Sequence, residues 1–433
     1  MKIALIRPNM GDYRSGDAMP PLAMGILAAR SVGHAVSFFD DRVEAIPETL
    51  DADLIAFSVE TFTARRAYQL ADHFRAQGRR VVMGGYHPTF LPEEALAHAD
   101  AVVVGDAEGV WENLLADTAA GRLQRIYRSD NRAPLAGCQI ERGIFAGKAY
   151  APVQLVQYGR GCRFACDFCS IHGFYGTHVR VRPAEELHAE LVGMSRRRLL
   201  FFVDDNLFSS AAQLDALLAV IGPLKLRWSC QISIDVARDP ALLDRLAEAG
   251  CRFVLIGFES LEAANLQQMK KGWNQVAGGY HQVARALHQR GIGIYGTFVF
   301  GYDHDTPDSI RRCLDFALEA GLEVANFNPL TPTPGSPLYD RLQAEGRLLS
   351  PAWWLDEGYR YGAPIFRPAG MSAEALAEGC FAARRQFYAW SSIARRVVAN
   401  DQPFSLFGAS MSLLVNLISR REIYRKQGRR LGN

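Results

Sequence analysis

Three cysteines fall together in the segment YGRGCRFACDFCS, at Cys162, Cys166 and Cys169. Their C-x₃-C-x₂-C spacing directly follows an apolar, strand-like run, VQLVQYG. Zinc sites normally take four ligands, and no fourth cysteine or spaced histidine pair accompanies these three. His172 could complete a Cys₃His zinc set and is the competing reading. Three thiolates without a fourth suit a [4Fe–4S] cluster in which three irons are protein-bound and one stays open to chelate a small ligand. The other five cysteines, Cys138, Cys230, Cys251, Cys313 and Cys380, are isolated and read as structural, reduced thiols.

The elements that must position this loop follow from apolar periodicity. The first third alternates short apolar runs (KIALIRP, AVSFFD, DLIAFSVE, RRVVMGG, DAVVVGD) with helical stretches such as Ala64–Gln77, which predicts a parallel sheet wound on both faces. Ligands then belong at the strand C-terminal ends, in Pro8–Asp17, Ser58–Thr63, Gly84–Thr89 and Gly105–Gly109. Near Tyr127–Pro152 the pattern breaks at Asn131, Pro134, Gly137, Gly143 and Gly147. From Val153 a second series gives roughly six strand–helix units, fewer than the eight of a closed barrel. Helices are expected over Ala184–Arg196, Ala211–Ile221, Pro240–Ala249, Val276–Arg290 and Asp308–Ala320, and again over Ala373–Asn416. The expectation is an α/β protein with a doubly wound domain over residues 1–140, a (β/α)₆ partial TIM barrel over 150–340 and a mostly helical C-terminal domain over 341–433.

At 433 residues the chain exceeds what one core usually supports. With 48 basic and 46 acidic residues its net charge is +2, which gives no basis for nucleic-acid binding. No secretory signal and no apolar run of the roughly 20 residues needed to span a bilayer are present, so a cytoplasmic location is expected. The basic tail SRREIYRKQGRR reads as a solvated helix end, with peripheral membrane contact as the alternative.

With Phe168 before the last cysteine and Gly159 and Gly161 before the first, the cysteine loop resembles that of the radical S-adenosylmethionine superfamily. The resemblance implies that S-adenosylmethionine binds the open iron and is cleaved reductively to methionine and a 5′-deoxyadenosyl radical. Downstream, FFVDDNLF, SCQISID and FVLIGFESLEAANLQQMKKG follow the order of the cobalamin-dependent branch. That likeness places Glu259 at the ribose or amino group of S-adenosylmethionine, with Asp204, Asp205, Ser233 and Asp235 at the same barrel mouth. A carboxylate suits donors of this kind. Capping of the next helix is the plain alternative for Asp204 and Asp205.

The loop MGGYHPTFLPEEAL followed by ADAVVVGDAEGVWENLL resembles the cobalamin-binding domain of class B radical methylases. By that likeness Gly84 and Gly85 let backbone approach the nucleotide tail or corrin, Ser58, Glu60 and Thr61 hydrogen-bond beside them, and Gly105 opens the GDAEG loop. The D-x-H-x-x-G cobalt-ligand motif is absent from residues 1–150, and His87 is read as a loop-packing residue. Residues 1–137 contain no cysteine, unlike methylthiotransferases, so one cluster is expected.

The implied reaction is methylation of an unactivated carbon by methylcobalamin after hydrogen abstraction. A non-methylating oxidative cyclase or ring-contracting enzyme is the first alternative, and a cobalamin-binding sensor or carrier the second. Expected partners are a small-molecule substrate, apolar or ring-containing, and an electron donor such as flavodoxin or ferredoxin. Trp353, Trp354, Tyr359, Tyr361, Phe381, Phe387, Tyr388 and Trp390 make the C-terminal region aromatic, mostly as core, while Tyr302 and Asp303 are pocket candidates. No acid–base residue is assigned.

Overall fold

The structure is a computed structural model that describes residues 1–130, 134–398 and 406–432. Asn131 of the connecting segment lies outside them. The first six strands are β1 (Lys2–Arg7), β2 (Ala35–Asp40), β3 (Leu54–Ser58), β4 (Arg80–Gly84), β5 (Ala101–Val104) and β6 (Ile126–Arg128). They form one parallel sheet in the order β2-β1-β3-β4-β5-β6. Side chains alternate between its two covered faces. Ile55, Phe57, Val81 and Met83 pack with helix Ala64–Ala76. Leu54, Ala56, Val82 and Val103 pack with helices Leu22–Ala29 and Trp111–Ala119. Strand order reverses between β1 and β3, which opens a crevice at their carboxyl ends.

A second parallel sheet contains β7 (Val153–Val156), β10 (Leu199–Phe202), β11 (Trp228–Ile232), β12 (Cys251–Glu259), β13 (Gly293–Phe300) and β14 (Val324–Pro329). Its order is β14-β13-β12-β11-β10-β7, the expected six-stranded partial barrel. Between β7 and β10 a two-stranded antiparallel ribbon, β8 (Gly159–Arg160) with β9 (Arg180–Val181), flanks the cysteine loop. Two-residue strands carry no periodic signal, so the sequence could not announce them.

Helix starts have local causes. Asp239 accepts the N–H of Leu242 before helix Pro240–Glu248, and Thr306 forms a capping box with Ser309 before Pro307–Glu319. The helix expected from Val276 begins at Gly279, because Gly278 has φ +79°, a left-handed conformation that closes off the preceding residues.

After Ala344 the chain contributes to both cores. Trp353, Trp354, Tyr359, Ile365 and Leu431 are buried with the first sheet. Leu376, Cys380, Ala383, Phe387 and Tyr388 are buried with the second. The expected helical run Ala373–Asn416 is Ala373–Phe387, Trp390–Val398 and the start of Leu406–Lys426, with residues 399–405 outside the description. The basic tail is anchored: Glu422 is buried, accepts the Gly16 N–H at 3.0 Å, and Lys426 Nζ lies 2.6 Å from Asp17. Among the described residues no helix is long and apolar enough to cross a membrane.

Trp353 is 1% exposed and donates to the Pro332 carbonyl, whereas Trp390 is 60% exposed. Trp353→Ala is expected to cost about 3–5 kcal/mol in urea denaturation. Trp390→Ala should change stability by less than about 0.5 kcal/mol.

Candidate active site at the facing ends of the two sheets

The cysteine loop leaves the end of β7 under tight backbone control. Asp204, just past β10, accepts the N–H of Tyr158 at 3.0 Å and that of Gly159, and Asp205 accepts the N–H of Gly161 at 2.8 Å. Burial pushes the Asp204 carboxyl up to about 7. Asp204 and Asp205, expected as cofactor contacts or helix caps, thus brace the loop. Gly161 has φ +93°, and a Cβ there would lie 2.0 Å from the His178 carbonyl oxygen, so only glycine fits.

Cys166 is buried and Cys162 and Cys169 are half-buried. The Phe164 N–H and Asn206 side chain favour the Cys162 thiolate, and the Ile171 and His172 N–H groups favour that of Cys169, the N-cap of helix Ser170–Tyr175. Burial nevertheless raises all three thiols, Cys166 to about 12, so thiolates here call for adjacent cationic charge. Among the described residues no three His, Cys, Asp or Glu side chains are grouped to hold a single metal ion. An all-thiol set with a separate iron for each sulfur fits a [4Fe–4S] cluster.

Tyr302 is buried and its hydroxyl donates to Asp167, between two of the cysteines, while Asp303 pairs with Arg347 at 2.8 Å and Arg341 at 3.4 Å. Both expected pocket residues are therefore engaged in bracing contacts.

At the barrel mouth, β12 carries a bulge between Gly257 and Glu259, and Glu259 adopts φ +64°. A non-glycine residue in this region carries about 1–3 kcal/mol of strain, a feature that clusters at functional sites. The buried Glu259 carboxylate lies 2.6 Å from Lys271 Nζ, which also donates to the Gly257 carbonyl at 2.9 Å. Lys271 was not foreseen; its only sequence signal is its place in MKKG. Phe164 stacks on Trp273 with centroids 3.7 Å apart, and Lys271 Nζ sits 5.3 Å from the Trp273 ring centroid. Ser233 Oγ accepts from Asn206 Nδ2 at 3.3 Å, and Asp235 pairs with Arg163. Asn206 Oδ1, Asp235 Oδ1 and Trp273 Nε1 are buried without protein partners. Two acceptors and a donor left open beside the cluster loop fit the ammonium, hydroxyl and carboxylate groups of S-adenosylmethionine.

The crevice of the first sheet is a cavity of about 270 Å³ whose wall includes Ser58, Glu60, Gly84, Gly85 and Gly105. Its opposite wall comes from the cysteine-loop side, through Gln157, Arg160, Phe174 and Tyr175. Gly85 has φ +105°, and a Cβ would meet the Val59 carbonyl at 2.7 Å. Gly84 meets only Val103, at 3.5 Å or more, so what it preserves is space in the cavity. Glu60 pairs with Arg7 at 2.8 Å. Thr61 lies outside the wall, buried 3.4 Å from His87 Nδ1. His87 Nε2 contacts Glu94 at 3.0 Å, and Glu94 also accepts from Tyr68 and Trp354, so His87 is a packing residue as read. Pockets for drug-sized ligands run roughly 300–1,000 Å³. At about 270 Å³ the cavity falls just short of that range, so it would admit only part of a molecule the size of cobalamin, with Ser58, Glu60, Gly84, Gly85 and Gly105 as the residues that would hold it.

The two sheets are joined beside this cavity by an ion cluster in which Arg160 is buried and Asp106, Glu108 and Arg180 are half-buried. Arg160 contacts Asp106 at 3.2 Å and also Glu108, Arg180 contacts Asp106 at 2.5 Å, and the Tyr175 hydroxyl donates to Asp106 at 2.9 Å. Burial opposes the Arg160 charge, but Glu108 and Asp106 more than offset it and its pKa lies well above the ordinary value. The GDAEG loop, read as a cobalamin loop, thus also grips the residue two before Cys162.

Fold and site define an enzyme with cobalamin on one sheet and a thiolate-bound cluster with S-adenosylmethionine on the other. Residues 25–115 match the B12 binding domain family and residues 156–317 the Radical SAM superfamily. Bacteriochlorophyllide d C-12(1)-methyltransferase of Chlorobaculum tepidum is 30% identical over 420 residues, covering 94% of this chain and 90% of that one. Bacteriochlorophyllide d C-8(2)-methyltransferase of the same organism is 29% identical, covering 77% and 78%. The structure of the radical S-adenosylmethionine methyltransferase TsrM from Kitasatospora setae, with cobalamin and a [4Fe–4S] cluster bound, superposes over 98% of both chains with a TM-score of 0.65 at 18% identity. The chain belongs to the cobalamin-dependent radical S-adenosylmethionine methyltransferases.

Joint replacement of Cys162, Cys166 and Cys169 by alanine should abolish iron and sulfide binding after anaerobic reconstitution; a retained cluster would refute the ligand set. Arg160→Met leaves Asp106 and Glu108 short of a buried partner and should cost about 3–5 kcal/mol in chemical denaturation. Lys271→Met should keep the iron content but weaken S-adenosylmethionine binding about tenfold or more, read by equilibrium binding to the reconstituted protein, since about 1.4 kcal/mol lost is tenfold.

Proposed function

We propose that this enzyme methylates an unactivated carbon on a substituent of a chlorin-type tetrapyrrole. The observation that carries the methylase reading is the facing of the two sites, in which the cobalamin cavity is walled by Arg160 and Tyr175 from the cluster-loop side. The substrate class is supported by the relatives that match most of the chain, both named for bacteriochlorophyllide d. When bound, the cofactors supply reductive cleavage of S-adenosylmethionine, hydrogen-atom abstraction and a cobalt-borne methyl group.

The chain's own share is placement. Cys162, Cys166 and Cys169 hold the cluster, with Asp204, Asp205 and Tyr302 fixing their loop. Glu259, Lys271, Ser233, Asn206 and Asp235 orient S-adenosylmethionine through hydrogen bonds. Ser58, Glu60, Gly84, Gly85 and Gly105 receive cobalamin. Along β13 the even positions Ile294, Phe298 and Phe300 are buried, while Tyr295, Thr297 and Val299 on the other face are half-buried. With Asn326 and Asn328 of β14, which pair in register with Thr297 and Val299, they offer the substrate an aromatic and polar wall inside the barrel. Such a wall suits a macrocycle that stacks and also presents polar edges. In this reading residues 1–140 carry cobalamin, 150–340 the radical chemistry, and 341–433 the brace between them. The enzyme works in the cytoplasm with flavodoxin or ferredoxin as electron donor.

The test is anaerobic reconstitution with iron, sulfide and hydroxocobalamin, followed by reaction with S-adenosylmethionine, a reductant and a bacteriochlorophyllide. A singly methylated pigment with 5′-deoxyadenosine and S-adenosylhomocysteine is expected. Deoxyadenosine with a converted but unmethylated pigment would select the non-methylating alternative, and an untouched pigment would remove the substrate proposal.

A further inference from the structure

The C-terminal helices carry a surface that the methylase chemistry leaves unused. Among the described residues eight large hydrophobic side chains are exposed, and four of them, Trp390, Leu413, Leu417 and Tyr424, lie on these helices. Leu413 is four residues from Leu417, Leu417 three and four from Arg420 and Arg421, and these four and three from Tyr424, so all five share one face of helix Leu406–Lys426. The opposite side of that helix is turned to the protein. Val415 and Ile423 pack against the barrel core, while Asn416 is buried and donates to the Glu323 carbonyl at 2.9 Å. The inward contacts fix which side looks out.

The outward face is basic as well as apolar. Helices Ala373–Phe387 and Leu406–Lys426 border a groove of about 490 Å³ lined by Ala382, Arg385, Trp390, Arg420 and Tyr424. The Arg420 guanidinium lies 4.9 Å from the Trp390 ring centroid and 5.8 Å from that of Tyr424. Arg385 in the groove wall is exposed, as are Arg421 on helix Leu406–Lys426 and Arg395 on helix Trp390–Val398. Among the described residues from Ala382 to Lys426 the single acidic side chain is Glu422, which is buried and faces the N-terminal loop. The nearest exposed carboxylate on the bordering helix is Glu378, one turn before Ala382.

Exposed tryptophan, tyrosine and leucine ringed by arginine match the interfacial zone of an anionic bilayer. Amphipathic rings sit at headgroup depth, leucine enters the acyl boundary, and guanidinium groups meet lipid phosphates. A second copy of the same face would oppose arginine to arginine, which disfavours a symmetric self-interface. We propose that this face docks the enzyme reversibly on an anionic lipid surface, with Trp390, Leu413, Leu417 and Tyr424 inserting and Arg385, Arg420 and Arg421 contacting lipid phosphate.

The test is vesicle flotation of the full-length reconstituted protein, with phosphatidylcholine vesicles and with vesicles that also contain phosphatidylglycerol. Binding is expected to the phosphatidylglycerol vesicles and to weaken as salt screens the arginines. The pairs Trp390→Ser with Leu417→Ser, and Arg385→Gln with Arg421→Gln, should each bind about tenfold more weakly or worse, with S-adenosylmethionine cleavage unchanged. If the apolar pair fails to fold, the charge pair and the salt dependence decide the matter. Absence of binding to phosphatidylglycerol vesicles, equal binding to both vesicle types, or undiminished binding by the charge pair would overturn the proposal. So would a wild-type dimer that either pair converts to monomer, since the face would then belong to a second copy.

Discussion

The site depends on one ionic junction built around the buried Arg160. Arg160, two residues before the first cluster cysteine, is held by Asp106 and Glu108 from the loop after β5, and Arg180 and Tyr175 complete the set around Asp106. A radical made at one cofactor and a methyl group carried by another are useful only if both reach the same carbon, so the relative placement of the two sheets limits the reaction. Guanidinium groups suit this task because their planar donors match carboxylates directionally. A buried ion pair is a poor source of net stability, but removing one partner is costly. The junction therefore acts mainly on orientation, resisting displacement of the cobalamin sheet from the cluster loop.

A second constraint concerns backbone donors. The cysteine loop cannot adopt regular structure while its thiols converge, and its N–H groups still need acceptors. Asp204 and Asp205 take three of them, from Tyr158, Gly159 and Gly161, and Asp167 reaches Tyr302 from within the loop. Carboxylates near a cofactor thus divide into two kinds. Asp204 accepts two N–H groups of the loop, whereas Asp235 keeps one buried oxygen without a protein partner. Glu259 stands between these cases, strained at the bulge of β12 and paired with Lys271. Lys271 also holds favourable charge near the cluster thiols Cys162 and Cys166.

The C-terminal segment explains how two sheets separated by a long connection stay in register with each other. It supplies Trp353 and Trp354 to the first core and Phe387 and Tyr388 to the second, then returns through Glu422 and Lys426 to the loop after β1. Because both cores need it, the segment resists independent opening. Its outward face instead presents exposed Trp390, Leu413, Leu417, Arg421 and Tyr424.

The sequence by itself determined the features that depend on local spacing. C-x₃-C-x₂-C grouped Cys162, Cys166 and Cys169 as the candidate cluster ligands, and alternating apolar runs marked the strands of both sheets except the three-residue β6, too short to show a period, because thiol spacing and side-chain periodicity are written in consecutive residues. The loops at the carboxyl ends of β3, β4 and β5 were legible for the same reason, since a doubly wound sheet binds its ligand there. Thr61 shows the limit of that reasoning, as a loop neighbour of Glu60 that turns into the core beside His87. Only the tertiary structure decided the pairs Arg160 with Asp106 and Glu108, Lys271 with Glu259, and Tyr302 with Asp167. Their partners lie between 12 and 135 residues apart, and which acidic side chain serves a cofactor and which serves the backbone is settled by what the fold brings within hydrogen-bonding distance.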